Sequence, residues 1–140
     1  MGKINYGRVL LGGLVAGVII NISEFILNAQ ILMKDWEEAM KALNKPVMGS
    51  SAIAIMVVLC MFLGIFVTWV YAAIRPRFAP GPKTAICAGL TVWVLAYAWP
   101  SFSGMVTDLF PARLFVISMI WGLFEVTIAA IAGAWLYREA

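Results

Sequence analysis

Residues 13–28 read GLVAGVIINISEFILN, an apolar run interrupted by Asn21, Glu24 and Asn28. At about 100° per residue, these three polar side chains fall on one face of a helix. An ionisable side chain at the centre of a bilayer-spanning helix costs roughly 2.5–3.5 kcal/mol on insertion scales, so its presence needs a reason. Polar side chains are unsatisfied in lipid, and we therefore expect this face to contact protein or water.

The composition extends this interpretation to the whole chain. Of its 140 residues, 64% are hydrophobic and only 12% are charged, whereas soluble domains have roughly 45–50% apolar residues. The apolar runs lack the alternation of a membrane barrel, which leaves helices as the spanning structure. The sequence predicts an integral membrane protein, with membrane lipids as its surroundings and no separate soluble domain.

Four apolar stretches are long enough to be considered as membrane spans, for which about 20 helical residues are needed. The predicted spans are residues 8–33, 49–74, 84–99 and 112–137. The third is the shortest, because Pro100 is expected to end it. The predicted fold is an all-α, integral membrane four-helix bundle formed by residues 1–140 as a single transmembrane domain.

A short polar segment, residues 34–44, follows the first span. Helical spacing places Trp36, Met40 and Leu43 on one face and charged side chains on the other. This pattern predicts a short interfacial amphipathic helix.

The distribution of basic residues predicts the orientation in the membrane, because cytoplasmic segments are enriched in Lys and Arg. With both termini cytoplasmic, the inner side would hold six cations and the outer side four. The inner ones are Lys3, Arg8, Arg75, Arg77, Lys83 and Arg138. This favours cytoplasmic termini and, for a bacterial protein, insertion in the cell inner membrane.

Aromatic residues near the span ends predict two belts at the membrane surfaces. Trp69, Tyr71, Trp135 and Tyr137 fit the inner belt. Trp36, Tyr97 and Trp99 fit the outer belt.

A second intramembrane glutamate, Glu125, lies near the middle of the fourth span. It shares a helical face with Ser118 and Gly122, which predicts that it points into the bundle beside small neighbours. We predict an intramembrane polar site formed by Asn21, Glu24, Asn28, Ser118 and Glu125. The depths of the two glutamates allow their side chains to approach each other.

Small residues predict where helices pack closely. Gly13 and Gly17 form a G-x-x-x-G pattern, which allows another helix to approach. That helix belongs either to the same chain or to a second copy. Gly122 is the corresponding packing residue in the fourth span.

Three functions fit the two glutamates. In the first, each carboxyl is protonated and fixes helix packing by donating a hydrogen bond, in a structural or accessory subunit of a larger membrane complex. In the second, the pair binds a proton or small cation in a transporter that works as a homo-oligomer, specifically a dimer, through Glu24 and Glu125. In the third, Trp, Phe and Met side chains line a site for lipid or another hydrophobic ligand.

Several chemistries lose their usual residues. The chain has no histidine and only two cysteines, Cys60 and Cys87, which form no Cys-x-x-Cys pair. Asp35, Glu37 and Glu38 could hold a divalent ion, but a solvated helix face explains them more simply. We predict no cofactor, no metal site and no catalytic residues, and the sequence does not favour an enzyme. The basic residues flank the apolar runs without forming one patch, so nucleic acid is not an expected partner.

The four short spans and the glutamate in the first resemble the small multidrug resistance family in architecture. That resemblance implies a transport role for Glu24, although Glu125, the Trp36 helix and the proline-rich linker at residues 75–83 depart from the family pattern. The stretches NISEFILN (residues 21–28) and DWEEAM (residues 35–40) are similar to uncharacterised bacterial four-helix membrane proteins. This similarity covers mainly the first third of the chain and implies no activity.

Overall fold

A computed structural model describes residues 3–139. This part of the chain is 85% helical and contains no strand. Four of its helices are long and apolar enough to cross a membrane. They comprise Tyr6–Ile31, Ser50–Phe78, Pro82–Thr107 and Ala112–Leu136.

Two of these four long helices change their winding. The first is α1 (Tyr6–Phe25) followed by a π-helical segment, Ile26–Ile31. The third is α4 (Pro82–Trp93), a second π segment (Val94–Ala98) and α5 (Trp99–Thr107). The second and fourth are the continuous helices α3 (Ser50–Phe78) and α6 (Ala112–Leu136). The short helix α2 (Met33–Ala42) follows the first π segment.

The third long helix passes through Pro100, and the prediction that it ends near residue 99 is wrong. Proline lacks the backbone N–H that an α-helix would use at this point. The preceding turn is π-helical, and the N–H of Trp99 bonds to the carbonyl of Val94, five residues back. Pro100 then occupies the first turn of α5, where its missing donor is tolerated.

The proline-rich linker is shorter than the sequence suggests. Helix α3 continues through Pro76 to Phe78, and α4 begins at Pro82. The turn between them uses positive φ angles at Ala79 (66°) and Gly81 (139°).

Helix α1 packs against both α3 and α6, and α4 packs beside α6. The α1–α3 contact is close because three glycines face one another. A Cβ atom at Gly64 of α3 would overlap the backbone of Gly13 and Gly17. The G-x-x-x-G pattern therefore serves a contact within the chain.

Both ends of the described chain lie at the end of the bundle where α3 connects to α4. Val9 of α1, Tyr71 of α3 and Tyr137 near the chain end belong to one buried cluster. The Tyr137 hydroxyl accepts a hydrogen bond from the backbone N–H of Asn5 at 3.3 Å. The basic linker residues Arg75 and Arg77 therefore lie at the same end as the two chain ends.

At the opposite end of the bundle, the surface of α3 is exposed. Its buried residues all lie between Gly64 and Ala72. None of residues 50–59 is buried. The half of α3 that begins at Ser50 is therefore the more exposed half of this helix.

Candidate functional site

The two glutamates meet at one tyrosine hydroxyl. The Tyr97 hydroxyl oxygen lies 2.6 Å from Oε1 of Glu125 and 3.3 Å from Oε1 of Glu24. The two carboxyl oxygens are therefore no farther apart than the sum of these distances. Three elements contribute to the contact: α1, the second π segment and α6.

The two carboxyls differ in burial. Glu125 is 4% exposed, and its Oε2 atom is buried without a hydrogen-bond partner in the described residues. Glu24 is only half-buried. One carboxyl of the pair is therefore enclosed in the bundle, while the other is close to its surface.

Asn28 holds the second oxygen of Glu24. Its Nδ2 atom donates to Glu24 Oε2 at 2.6 Å and to the Glu24 carbonyl at 3.0 Å. Its Oδ1 atom accepts from the Trp36 indole N–H at 3.0 Å. A chain of hydrogen bonds therefore runs from α2 through the first π segment to Glu24.

A further hydrogen bond joins α1 to α6 beside the carboxyls. The Trp121 indole N–H donates to Ser23 Oγ at 2.8 Å. Cys60 of α3 packs against the central core, close enough to feel the charge of both glutamates. We use the term carboxyl cluster for Glu24, Tyr97 and Glu125 together with Asn28.

Gly122 shapes the cluster by leaving room for an aromatic ring. A Cβ atom at Gly122 would overlap Cγ, Cδ1 and Cε1 of Tyr97. The ring can therefore lie flat against α6, one turn before Glu125. The sequence identified Gly122 as a helix-packing residue, and the group that packs there is a side chain.

Both π segments adjoin the carboxyl cluster. Glu24 lies two residues before the first segment, and Tyr97 lies within the second. π-Helical turns are rare and occur frequently at functional sites. Their presence on two helices at the same level sets this region apart from the regular packing elsewhere.

The structure brings together three of the five predicted polar residues: Glu24, Asn28 and Glu125. Asn21 bonds elsewhere, because its Nδ2 donates to the carbonyls of Gly17 and Val57 at 3.0 and 3.2 Å. Ser118 is half-buried, and no hydrogen bond of its side chain is present within residues 3–139.

Sequence reasoning missed Tyr97 and the role of Trp36. Both were assigned to the outer aromatic belt, to which their amphipathic side chains are equally suited. Trp99, by contrast, is 72% exposed. A signal was present in the sequence, since Tyr97 is the one tyrosine of the third span and could have been paired with a buried carboxyl.

The ion pairs of the described residues lie at the two ends of the bundle. Arg75 is 3.2 Å from Glu139, and Arg113 pairs with Asp35. In residues 3–139, no basic side chain contacts Glu24 or Glu125. The carboxyl cluster is therefore an acidic site without a counter-ion among the described residues.

The comparisons with known proteins identify no relative. No protein-family model, no curated protein and no solved structure matches the chain. The geometry of the carboxyl cluster is therefore the basis for inferring a function.

Proposed function

We propose that this chain is an integral membrane protein that takes up and passes on a proton at the carboxyl cluster, as the proton-binding unit of a small transporter. The observation that carries the proposal is the convergence of Glu24 and Glu125 on the single hydroxyl of Tyr97. This is the transport function among the three that the sequence allows.

The charges of the cluster require an added cation. Two ionised carboxylates repel each other at this separation, and burial penalises the charge of Glu125 further. Within residues 3–139, no arginine or lysine side chain pairs with either carboxyl to compensate. A bound proton or small cation therefore neutralises the site, and the donor set suits a proton better than Ca²⁺ or Mg²⁺, which take six or more oxygen ligands.

The hydrogen-bond directions provide a route between the two carboxyls. A tyrosine hydroxyl has one hydrogen and two acceptor lone pairs, and the shorter distance assigns that hydrogen to Glu125. A protonated Glu24 can then donate to the Tyr97 oxygen. Transfer of the Glu24 proton to Tyr97, together with transfer of the Tyr97 proton to Glu125, leaves Glu24 ionised, Tyr97 neutral and Glu125 protonated.

The difference in burial assigns a direction to this exchange. Glu24 is half-buried, so it is the carboxyl that exchanges protons with the surroundings. Glu125 is enclosed and stores the proton. Movement of the first π segment or of α3 would change the access to Glu24.

The large apolar side chains on the outside of the bundle support membrane insertion. They include Phe62, Phe66, Phe124 and Ile128, each at least 44% exposed. We place both termini in the cytoplasm of a bacterial cell, because the two chain ends and the basic α3–α4 linker lie at the same end. A dimer is part of the proposal, because a second copy would help to enclose the proton path across the membrane.

A structural or accessory role is the second candidate. The observation that favours it is the number of elements that the polar contacts join: α1, α2, both π segments and α6. Such a network fixes helix register whether or not its protons exchange. The two functions differ in whether the carboxyls titrate and whether protons cross the membrane.

The test combines infrared difference spectroscopy with proton flux. The wild-type protein, Glu24→Gln and Glu125→Gln are reconstituted in lipid vesicles, and the carboxyl C=O bands are followed from pH 4 to pH 10. Proton entry is measured with a pH-sensitive dye inside the vesicles under an imposed gradient. We expect two carboxyl bands whose intensity changes with pH, and each variant should lack the band of the glutamate that it replaces. Proton flux should fall at least tenfold in both variants.

Glu37→Gln is the matched control, because Glu37 is an exposed carboxyl of α2 outside the cluster. It should retain both bands and the wild-type flux. If the bands assigned to Glu24 and Glu125 do not change with pH while both cluster variants fold and assemble normally, the transport proposal fails and the structural role stands. Wild-type vesicles that conduct no protons despite titrating carboxyls would also contradict it.

A further inference from the structure

The short helix α2 contacts the carboxyl cluster through one side-chain amide. An indole N–H is a donor only, so the oxygen of the Asn28 amide must face Trp36. This orientation directs the Asn28 NH₂ group to Glu24 Oε2 and to the Glu24 carbonyl. Without the indole, the amide could rotate and present its oxygen to the carboxyl.

The position of α2 depends on the beginning of α6. The Trp36 ring packs edge to face on Phe110, with 5.6 Å between ring centroids. Asp35 pairs with Arg113 on the exposed side of the same contact. Leu32 and Ala39 are buried against Leu114. A movement of α2 away from α6 would therefore carry the indole away from Asn28.

The surroundings of Glu24 make this amide important. The titratable groups that face Glu24 are Glu125 from α6, Tyr97 from the second π segment and Cys60 from α3. On α2 itself, Asp35 is already paired with Arg113. None of these groups supplies a positive charge, and Asn28 is the donor to Oε2. Since a carboxylate accepts a hydrogen bond more strongly than a neutral carboxyl does, the charge of Glu24 and the docking of α2 depend on each other.

We infer that α2 regulates the proton site: docking of α2 on α6 positions Asn28 through Trp36 and thereby sets how readily Glu24 exchanges its proton. This inference rests on the proposed function. Trp36 and Asn28 are positioning residues, since neither carries the proton. A change at the outer end of the bundle, such as a displaced α2, would in this way alter the chemistry at Glu24.

Trp36→Phe tests the inference, because it keeps an aromatic ring against Phe110 and removes the N–H donor. The pH titration of the Glu24 carboxyl band is measured in lipid vesicles, with Glu24→Gln used to assign the band. We expect the proton affinity of Glu24 to change roughly fivefold, the effect of one hydrogen bond. Trp135→Phe is the matched control, since Trp135 is 85% exposed, and it should titrate like the wild type.

A second variant and a second measurement guard against a local folding defect. Arg113→Gln loosens α2 without removing any atom of the Trp36–Asn28–Glu24 chain, and it should shift the Glu24 band in the same sense as Trp36→Phe. The protection of the α2 amides, taken as the intrinsic exchange rate at each pH divided by the observed rate, should be greater at high pH, where Glu24 is ionised, than at low pH. That pH dependence should disappear in Glu24→Gln.

The outcomes separate the inference from the proposed function. If the wild-type carboxyl bands titrate and protons cross the membrane, but Trp36→Phe and Arg113→Gln titrate like the wild type, α2 does not regulate the site. If the wild-type bands do not titrate at all, the proposed function itself is wrong and the inference falls with it. Shifts in both variants, with none in Trp135→Phe, support regulation by α2.

Discussion

The Tyr97 hydroxyl lies 2.6 Å from Oε1 of Glu125, within normal hydrogen-bond distance for two oxygen atoms. It joins two helices of the bundle at a buried carboxyl whose other oxygen has no partner in the described residues. Tyr97 therefore supplies the short hydrogen bond that Oε1 of Glu125 accepts.

Tyr97→Phe should destabilise the protein by about 1–3 kcal/mol, because it leaves a buried carboxyl without its donor. It should also alter the infrared bands of both glutamates, since the hydroxyl contacts both. Unfolding in detergent, followed by tryptophan fluorescence, gives the stability. Tyr6→Phe is the control, because Tyr6 is 70% exposed; equal effects of the two substitutions would contradict the assigned contact.

Gly122→Ala should displace the Tyr97 ring, because the added methyl group occupies the position of ring atoms. We expect the same infrared changes as in Tyr97→Phe, although the hydroxyl is retained. Gly49→Ala is the matched control, since no atom lies within 4 Å of a Cβ there. Wild-type carboxyl bands in Gly122→Ala would show that the ring does not depend on this glycine.

Gly64→Ala should separate α1 from α3, where the new methyl group would overlap the backbone of Gly13 and Gly17. Overpacking of this kind typically costs about 1–3 kcal/mol. The free energy of unfolding in detergent measures the loss, again with Gly49→Ala as the comparison. A Gly64→Ala protein as stable as the wild type would mean that the two helices can move apart without loss.

Trp121→Phe should weaken the connection between α1 and α6 by about 0.5–1.5 kcal/mol, because it removes the donor to Ser23 Oγ. Ser23→Ala should cost a similar amount. The double variant should cost less than the sum of the two, since both substitutions remove the same hydrogen bond. Additive losses in unfolding experiments would show that the indole and the hydroxyl do not interact.

Much of the architecture can be predicted from local sequence. Apolar runs in this chain are long enough to identify all four long helices, and the amphipathic spacing of residues 34–44 predicts α2 to within two residues at either end. The helical faces of Glu24 and Glu125 correctly indicate that each carboxyl points toward other helices. The end of the third helix was wrong because a π turn compensates for Pro100, and such a turn depends on packing around it.

The composition and residue spacing by themselves determined that the chain forms long apolar helices and that two carboxyls lie within them, because burial of apolar surface and helical periodicity are local properties. Only the tertiary structure decided which polar side chains meet. Tyr97 and Trp36 suit a membrane surface as well as they suit a buried hydrogen bond, and periodicity gives the direction of a side chain without its neighbours on other helices. The meeting of Glu24, Tyr97 and Glu125 depends on the packing of α1 and the third helix around α6, which no single segment encodes.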